Sequence, residues 1–443
     1  MKFRKLGKAL LMTALSAGMV FSVTSCVQSY SVGFLYITGT QTASTTGAGI
    51  ISGFKIDHNT GNLTPIAGLP VSSGGANPVR AVLLNGGRFI YVLNQGSTAD
   101  GGPCSPTDIC SNANITQFSI GGNGVLAPQG TYYTQGHNPF RLFADSTGAH
   151  IFALDHDAPN GVGCSLVFGA SVTTCGDITA FSIDSTTGRL SYVLNSQVTA
   201  STGSPLPYFP IPANPIDFTL SSSFLLTLSG TPATGDSVFP YAYNPANGQL
   251  SINQNSSQPL GMTQGTAIVV AGSQTTYVLD DGPNTNTPPS NGQIFAYSVG
   301  SGGSLQALAN GYIPDSATYS KPVYLLQASG KSWLYVLNEG DNANTTVAQS
   351  GIAAFTITTP FQVTPISGQT GATGGTGAGP RCILEDPSNQ FIYTANFNDS
   401  SVTGLSIDQN DGNLIPLNQS TKAKSSFKLT GPATWCVVTG RTS

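Results

Sequence analysis

The sequence predicts an all-β fold: a seven-bladed β-propeller with four antiparallel strands per blade, its ring closed by the C-terminal strand. Three observations carry this. One strand, FIYVLN at 89, returns as HIFALD at 150, TTYVLD at 275, WLYVLN at 333 and FIYTAN at 391, with weaker copies GFLYIT at 33 and SFLLTL at 223. A unit that recurs at this spacing is architecture rather than a single buried strand. Each copy is followed by a companion such as GDITAFSIDSTTGRLSYV or SSVTGLSIDQNDGNLIPL. The companion alternates, turns on Gly or Asn, and reopens on Leu, which is a hairpin signature. Finally, the copy that starts at Phe34 has no strand upstream, and GPATWCVVTG near the C-terminus supplies one with nothing after it.

The first 25 residues are read as a lipoprotein signal peptide. Lys2, Arg4, Lys5 and Lys8 precede the apolar run ALLMTALSAGMVFSV, and small residues follow, the order of a secretory signal. Val23-Thr24-Ser25-Cys26 resembles the bacterial lipobox, so Cys26 is expected to carry lipid, with 26–33 as tether and 34–443 as propeller. No later stretch reaches the ~18 apolar residues of a membrane helix. The expected place is the cell envelope, with lipid as the one membrane contact.

Within the propeller, name the strands of a blade a to d from the axis outward. The a-strands open on proline in NPVRAVLL, NPFRLFAD, NPIDFTLS, KPVYLLQA and GPRCILED, with QGTAIVVA in blade five. The recurring strand is b, and the companion hairpin is c and d. Turns a–b and c–d are short and lie on one face. The long inserts, roughly 95–112, 156–176, 195–213, 281–291, 339–350 and 367–378, all fall on the other. Function usually sits on such loops.

Composition narrows the classes. Charged residues are 8% of the chain, against about 25% in typical soluble domains. Without the four N-terminal cations, 12 Lys and Arg face 20 Asp and Glu, a net −8. A mildly acidic chain with no basic stripe is a poor nucleic-acid binder, and a monomer is expected. Cys104/Cys110 and Cys164/Cys175 are close pairs in loops and are expected to form local disulfides. Zinc is the alternative, but these spacings and the lack of paired His argue against it. Cys382 and Cys436 fall on neighbouring a-strands with equal parity counted from their prolines, so two buried thiols are expected rather than a strained bridge.

Aligned on their prolines, the a-strands bring Arg80, Arg141, Asp217, Tyr324, Cys382 and Thr434 to one depth, with Thr266 in blade five. This polar ring is expected at the channel mouth, just inside the long-loop face. Arg80, Arg141, Asp217, Tyr324 and neighbouring Arg381 are therefore the candidate substrate-binding residues. The arginines suit a carboxylate or phosphate; their structural alternative is pairing with Asp217 or Glu385.

The unit GPRCILEDPSNQFIYTANFNDSSVTGLSIDQNDGNLIPL resembles the seven-bladed propeller lactonases of the 6-phosphogluconolactonase/cycloisomerase type, and more loosely the YVTN propellers. The resemblance implies a central pocket that opens a sugar lactone without an obligatory metal. It departs from the family where a histidine often follows the a-strand proline: here stand Val79, Phe140, Ile216, Val323, Arg381 and Ala433. No family histidine is carried over.

Opening a lactone needs a base for water and a cation or donor for the oxyanion. Candidate catalytic residues are His156 beside Asp155 and Asp157, and His137 ahead of its a-strand. Asp155 also belongs to a series with Asn94, Asp280, Asn338 and Asn396, where a strand-ending, backbone-bonding role is the stronger expectation. His58 and His150 are expected to be solvated in plain-face turns. No cofactor is expected; a calcium site would need Asp155, Asp217 and Asp280 to converge. Two functions follow: hydrolysis of a small carboxylated or phosphorylated lactone at the channel mouth, or non-catalytic recognition of a glycan or protein by the long-loop face.

Overall fold

The computed structural model describes residues 30–41, 47–84, 86–98, 110–252, 257–271, 275–282, 292–308, 311–316, 318–340, 350–359, 362–366 and 375–440. The signal segment, Cys26 and Cys104 lie outside these. Seven antiparallel sheets form seven blades, each running a-b-c-d. In five of them the d-strand is split into two short pieces that both pair with c, so the outer edge is never long or flat. Blade one takes its a-strand from the end of the chain: Ser31–Thr40 pairs with Ala433–Gly440, from Gly33 opposite Gly440 to Gly39 opposite Ala433. The ring closes as the repeat predicts.

The recurring b-strand is buried end to end in Phe89–Asn94, Thr275–Asp280, Trp333–Asn338 and Phe391–Asn396. A strand packed by a neighbouring blade on each face has no solvated side, which is why it reads as a continuous apolar run. Its tyrosine has a further task. Tyr36 donates to the Gly124 carbonyl at 2.8 Å, Tyr91 to Gly188 at 2.5 Å and Tyr335 to Gly412 at 2.9 Å. Tyr393 of blade seven reaches Gly61 of blade one at 2.7 Å. Each bond runs from one blade to the c–d turn of the next, and each contributes about 1 kcal/mol.

Those turn residues are glycine for two reasons. Gly61 and Gly412 have φ of 68° and 80°, and a Cβ on either would fall 2.7 Å or less from the ring of Phe391 or Trp333. The ring that opens a b-strand thus presses against the next blade's turn in six of the seven blades. His150 occupies this slot beneath Gly248, and it is buried rather than solvated. Its Nδ1 lies 3.1 Å from Asp145 Oδ2, which also accepts from Tyr243 Oη at 2.7 Å. The expectation for His58 also fails in part: its ring is half-buried and stacks on Tyr30 at 4.6 Å.

The long insert after blade three's b-strand folds into the helix Gly161–Phe168, with Asn160 Oδ1 accepting from Val162 N at 3.0 Å as its N-cap. Cys164 and Cys175 bridge the insert, with Cα atoms 5.6 Å apart. Cys110 is also disulfide-bonded. Among the described residues, no helix is long and apolar enough to cross a membrane.

Cys382 and Cys436 are not two thiols. They form a disulfide with Cα atoms 5.8 Å apart, joining the a-strands of blades seven and one. The parity count fails because Pro432 is not on the ladder. Asn94, Asn338 and Asn396 face the prolines Pro78, Pro322 and Pro380, but the corresponding Gly39 faces Ala433. Cys436 is therefore one step out of phase with Cys382. Adjacent strand positions point to opposite faces, so the two sulfurs enter one seam from its two sides.

Candidate functional site

Every a-strand carries a bulge at its long-loop end. Pro78 and Arg80 face consecutive residues of their b-strand, Asn94 and Leu93, so Val79 is extra. The same step leaves Phe140, Ile216, Thr266, Val323, Arg381 and Thr434 unpaired in the other six blades. An extra residue in one strand loses its ladder partner and re-aims its side chain. Six of these seven residues line one axial cavity of about 310 Å³, together with Arg80, Arg141, Lys321 and Glu339. The bulges thus build the channel mouth.

The next ladder position holds Arg80, Arg141, Asp217, Tyr324 and Cys382, as the sequence predicts. The other two blades differ: Ala267 and Trp435 stand there, while Thr266 and Thr434 are the bulged residues above them. The cause is the same in both. Gly265 and Ala433 occupy the proline's ladder position, which shifts the count by one.

Arg141 Nε donates to Asp217 Oδ1 at 3.0 Å, and Asp217 Oδ2 accepts from Ile268 N at 3.1 Å. Arg80 is held differently. Its guanidinium carbon lies 3.7 Å from the Trp435 ring centroid, its Nη1 donates to Val79 O at 3.2 Å, and Tyr324 meets Trp435 edge-on at 5.3 Å. Among the described residues, no carboxylate reaches it within 4.0 Å. Burial first, then the Arg141 charge, pulls its guanidinium well below the ordinary range. An anion in the cavity would favour the charged form.

Two mouth residues escaped the sequence reading. Glu339 holds two cations: its Oε2 lies 2.6 Å from Lys321 Nζ and its Oε1 3.3 Å from Arg381 Nε. Arg381 also stacks on Phe397 at 3.6 Å, and Glu385 is elsewhere, accepting from Ser329 N at 2.8 Å. Lys321 has φ of 60°, in the pre-proline place that Asn77, Asn138 and Asn214 fill at 50° to 55°. Asn tolerates this left-handed region and a long side chain rarely adopts it. The signal was present as KP among NP repeats.

The histidine candidates lie at the edge of this site. His156 stands one residue past the b-strand Asx position, as Glu339 does, but it does not line the cavity. Its Nδ1 is 3.1 Å from Asp157 Oδ2, and its ring is 6.4 Å from Phe140. His137 begins its strand opposite Asp157 and is exposed. Asp155 is fully buried behind the mouth as the ladder partner of Asp177. Thr179 Oγ1 lies 3.2 Å from Asp155 Oδ2 and 3.4 Å from Asp177 Oδ2. Burial pushes Asp155 up to about 7, and burial with the Asp155 charge pushes Asp177 well above the usual range. Two buried carboxyls this close retain a proton.

The Asx series behaves as strand-ending structure: Asn94 bonds Ser73, Asn114 and Thr116, and Asn396 bonds Ser401 and Thr403. Asp155, Asp217 and Asp280 do not converge, and among the described residues no three His, Cys, Asp or Glu side chains group as a metal site requires.

Residues 285–433 match the family described as "Lactonase, 7-bladed beta-propeller", so the resemblance read from the repeats holds over that segment. No curated protein matches the chain. Among solved structures, a provisionally named 6-phosphogluconolactonase from Bacteroides fragilis superposes with a TM-score of 0.63 at 16% identity, covering 92% of this chain and 98% of its own. A similar protein from Bacteroides uniformis gives 0.62 at 13%, covering 92% and 100%. The periplasmic gluconolactonase PpgL of Pseudomonas aeruginosa gives 0.61 at 15%, covering 92% and 99%. At these identities the likeness is one of fold.

Proposed function

We propose that the chain hydrolyses a small carboxylated or phosphorylated lactone, of sugar type, in the axial cavity. The carrying observation is the lining: four of the chain's 16 Lys and Arg meet there with Glu339, in a protein with few charges. With neighbouring Asp217, four cations against two carboxylates leave a local +2 in a net-acidic chain. Such a cleft draws in anions and stabilises developing negative charge. The lactonase family match and the gluconolactonase fold support the same reading.

In this reading the substrate's anionic group rests against Arg80, which no carboxylate reaches within 4.0 Å among the described residues. The lactone carbonyl lies toward Lys321 and Arg381, which hold its oxygen as it becomes an oxyanion. Glu339 accepts a proton from the attacking water, and the hydroxyl oxygen bonds to the carbonyl carbon. As the ring C–O bond breaks, that proton passes to the leaving alkoxide, giving the open hydroxy acid. Stabilisation of the developing charge by these cations carries more of the barrier than proton abstraction.

A second reading, a non-catalytic envelope propeller that binds a glycan or protein, is favoured by the long-loop face. There Val162 and Leu166 are exposed on one side of an uncharged helix, and neither His137 nor His156 enters the cavity. In both readings Cys26 carries lipid and the propeller stands outside the cytoplasm. Turnover of an aldonolactone panel, with and without phosphate and corrected for spontaneous opening, separates them. Activity lost in Arg80→Ala/Arg141→Ala supports hydrolysis at the mouth. A flat panel from folded protein moves the function to binding. Incorporation of labelled palmitate, lost in Cys26→Ala, tests the anchor.

A further inference from the structure

The chain enters its first strand on the plain face, the one that carries the short turns. Ser31–Thr40 is the b-strand of blade one and runs from that face to the long-loop face. Its entry is pinned. Tyr30 O accepts from His58 N in the c–d turn at 3.0 Å, and Ser31 faces Asp57 on the ladder. The Tyr30 ring stacks on His58 at 4.6 Å and is still 50% exposed. The propeller therefore meets the preceding chain at a fixed spot, with an aromatic side chain open beside it.

Distance decides which face a lipid on Cys26 can bring to a membrane. Cys26 is four residues ahead of Tyr30, and four residues span at most about 14 Å fully extended. The ten residues of Ser31–Thr40 rise about 30 Å from one face to the other. A tether of about half the ring's depth cannot carry the lipid round to the long-loop face.

The faces differ in shape as well. On the plain face every connection between strands is six residues or fewer, so no insert stands proud of it. The long-loop face carries the helix Gly161–Phe168, with Val162 and Leu166 exposed. Those apolar side chains suit lipid, yet they stand on the side that the tether cannot reach. Tyrosine, apolar in body and polar at its tip, suits the headgroup zone, and Tyr30 stands at the root of the tether.

We propose that the plain face is a membrane-contacting surface: lipid on Cys26 seats it on the bilayer, and the channel mouth opens away into the aqueous phase. This rests on the lipid anchor proposed above and adds a constraint on the ligand. An anion that reaches Arg80 and Lys321 comes from solution, so the lactone is a water-soluble one rather than a lipid drawn from the bilayer.

The test is quenching of an added tryptophan by spin-labelled lipid, with the lipidated chain in phosphatidylethanolamine–phosphatidylglycerol vesicles. Asn59→Trp and Ala246→Trp put the probe in exposed plain-face turns of blades one and four, across the ring from each other. Leu166→Trp puts it on the long-loop helix. Trp333 and Trp435 are common to all three, and the unsubstituted chain gives their emission for subtraction. Labels near the headgroups should remove most of the added emission in Asn59→Trp and Ala246→Trp and leave that of Leu166→Trp unchanged. Quenching of Leu166→Trp as strong as in the turns overturns the proposal. So does an unquenched Ala246→Trp, because the ring would then stand on its blade-one edge. Absence of labelled palmitate from the chain is a separate failure: the anchor reading falls and takes the orientation with it. Palmitate present with the quenching reversed overturns the orientation alone.

Discussion

Arg80 lies over Trp435, guanidinium carbon to ring centroid 3.7 Å, with one residue from the a-strand of blade two and the other from the strand that closes the ring. The contrast with Arg141 explains why this matters. Asp217 neutralises Arg141, whereas an aromatic face orients Arg80 and leaves its charge available. Ring closure and the channel mouth thus share a residue: the C-terminal strand that completes blade one also brings the platform for the cation.

Replacing the platform should therefore cost affinity without removing a charge. Trp435→Leu is expected to raise the KM for an anionic lactone by about tenfold while kcat changes little, in keeping with the ~0.5–2 kcal/mol of a guanidinium–aromatic contact. Arg80→Lys should do the same, since a lysine keeps the charge and loses the planar stack. Neutral lactones should be indifferent to both. An equal loss for neutral and anionic substrates would show that Trp435 acts through the fold instead.

Glu339→Gln keeps the shape of the mouth and removes the proposed proton acceptor. Turnover should drop by about 10²-fold or more with a smaller change in KM, the range for a positioned general base. Circular dichroism should be unchanged. Lys321→Ala is predicted to lower kcat as well, because Glu339 loses a partner and the oxyanion loses a donor. If Glu339→Gln turns over like wild type, the base lies elsewhere, and His156, at the same ladder position in blade three, is the next residue to replace.

The repeat made most of the fold legible. Seven copies of one strand and a proline-led complement at the far end specify a closed ring whatever the details of any blade. What stayed hidden was the bulge. A one-residue register step has no composition of its own, so Thr266 and Thr434 are read a position too deep and Trp435, which shares the depth of Arg80, is not read as part of the ring. The same step misdirected Cys436. His150 is misread for another reason: a polar residue in a slot that most blades fill with Phe or Trp looks like part of the turn. Arg80, Arg141 and Arg381 were visible because charge is rare in this chain. Glu339 was one acid among several that follow b-strands, and only the Lys321 and Arg381 contacts single it out.

The buried Asp155–Asp177 pair predicts a stability that declines as pH rises. An unfolded aspartate ionises near pH 4, while Asp155 in the fold does so at about 7. Between those values the native state holds the extra proton, so raising the pH favours the unfolded chain. The contribution is fully present below about pH 4 and lost as pH passes through about 7. The thermal midpoint should therefore fall over this window in wild type. Asp177→Asn, with its amide able to donate to Asp155, should flatten the curve. A midpoint that rises from pH 4 to 7 in wild type and equally in the variant would show that the pair holds no proton.

The Cys382–Cys436 bridge spans 54 residues of sequence and ties the last blade to the strand that completes the first. In the chain-entropy picture a loop of that size is worth about 4 kcal/mol, an upper figure since denatured chains retain structure. Both sulfurs are buried, so mild reductant should leave the folded protein unaffected and act only once the ring opens. Cys382→Ala/Cys436→Ala should lower the thermal midpoint by several degrees and raise the unfolding rate. It should also weaken anion binding, because Trp435 and Arg381 each adjoin one of the cysteines. Hydrogen exchange locates the effect: protection should fall first in Ser31–Thr40 and Ala433–Gly440, the two strands whose pairing closes the ring. Equal loss of protection in all seven blades would mean that the bridge stabilises the propeller as a whole and that hydrogen bonds such as Tyr393 to Gly61 suffice to hold the seam.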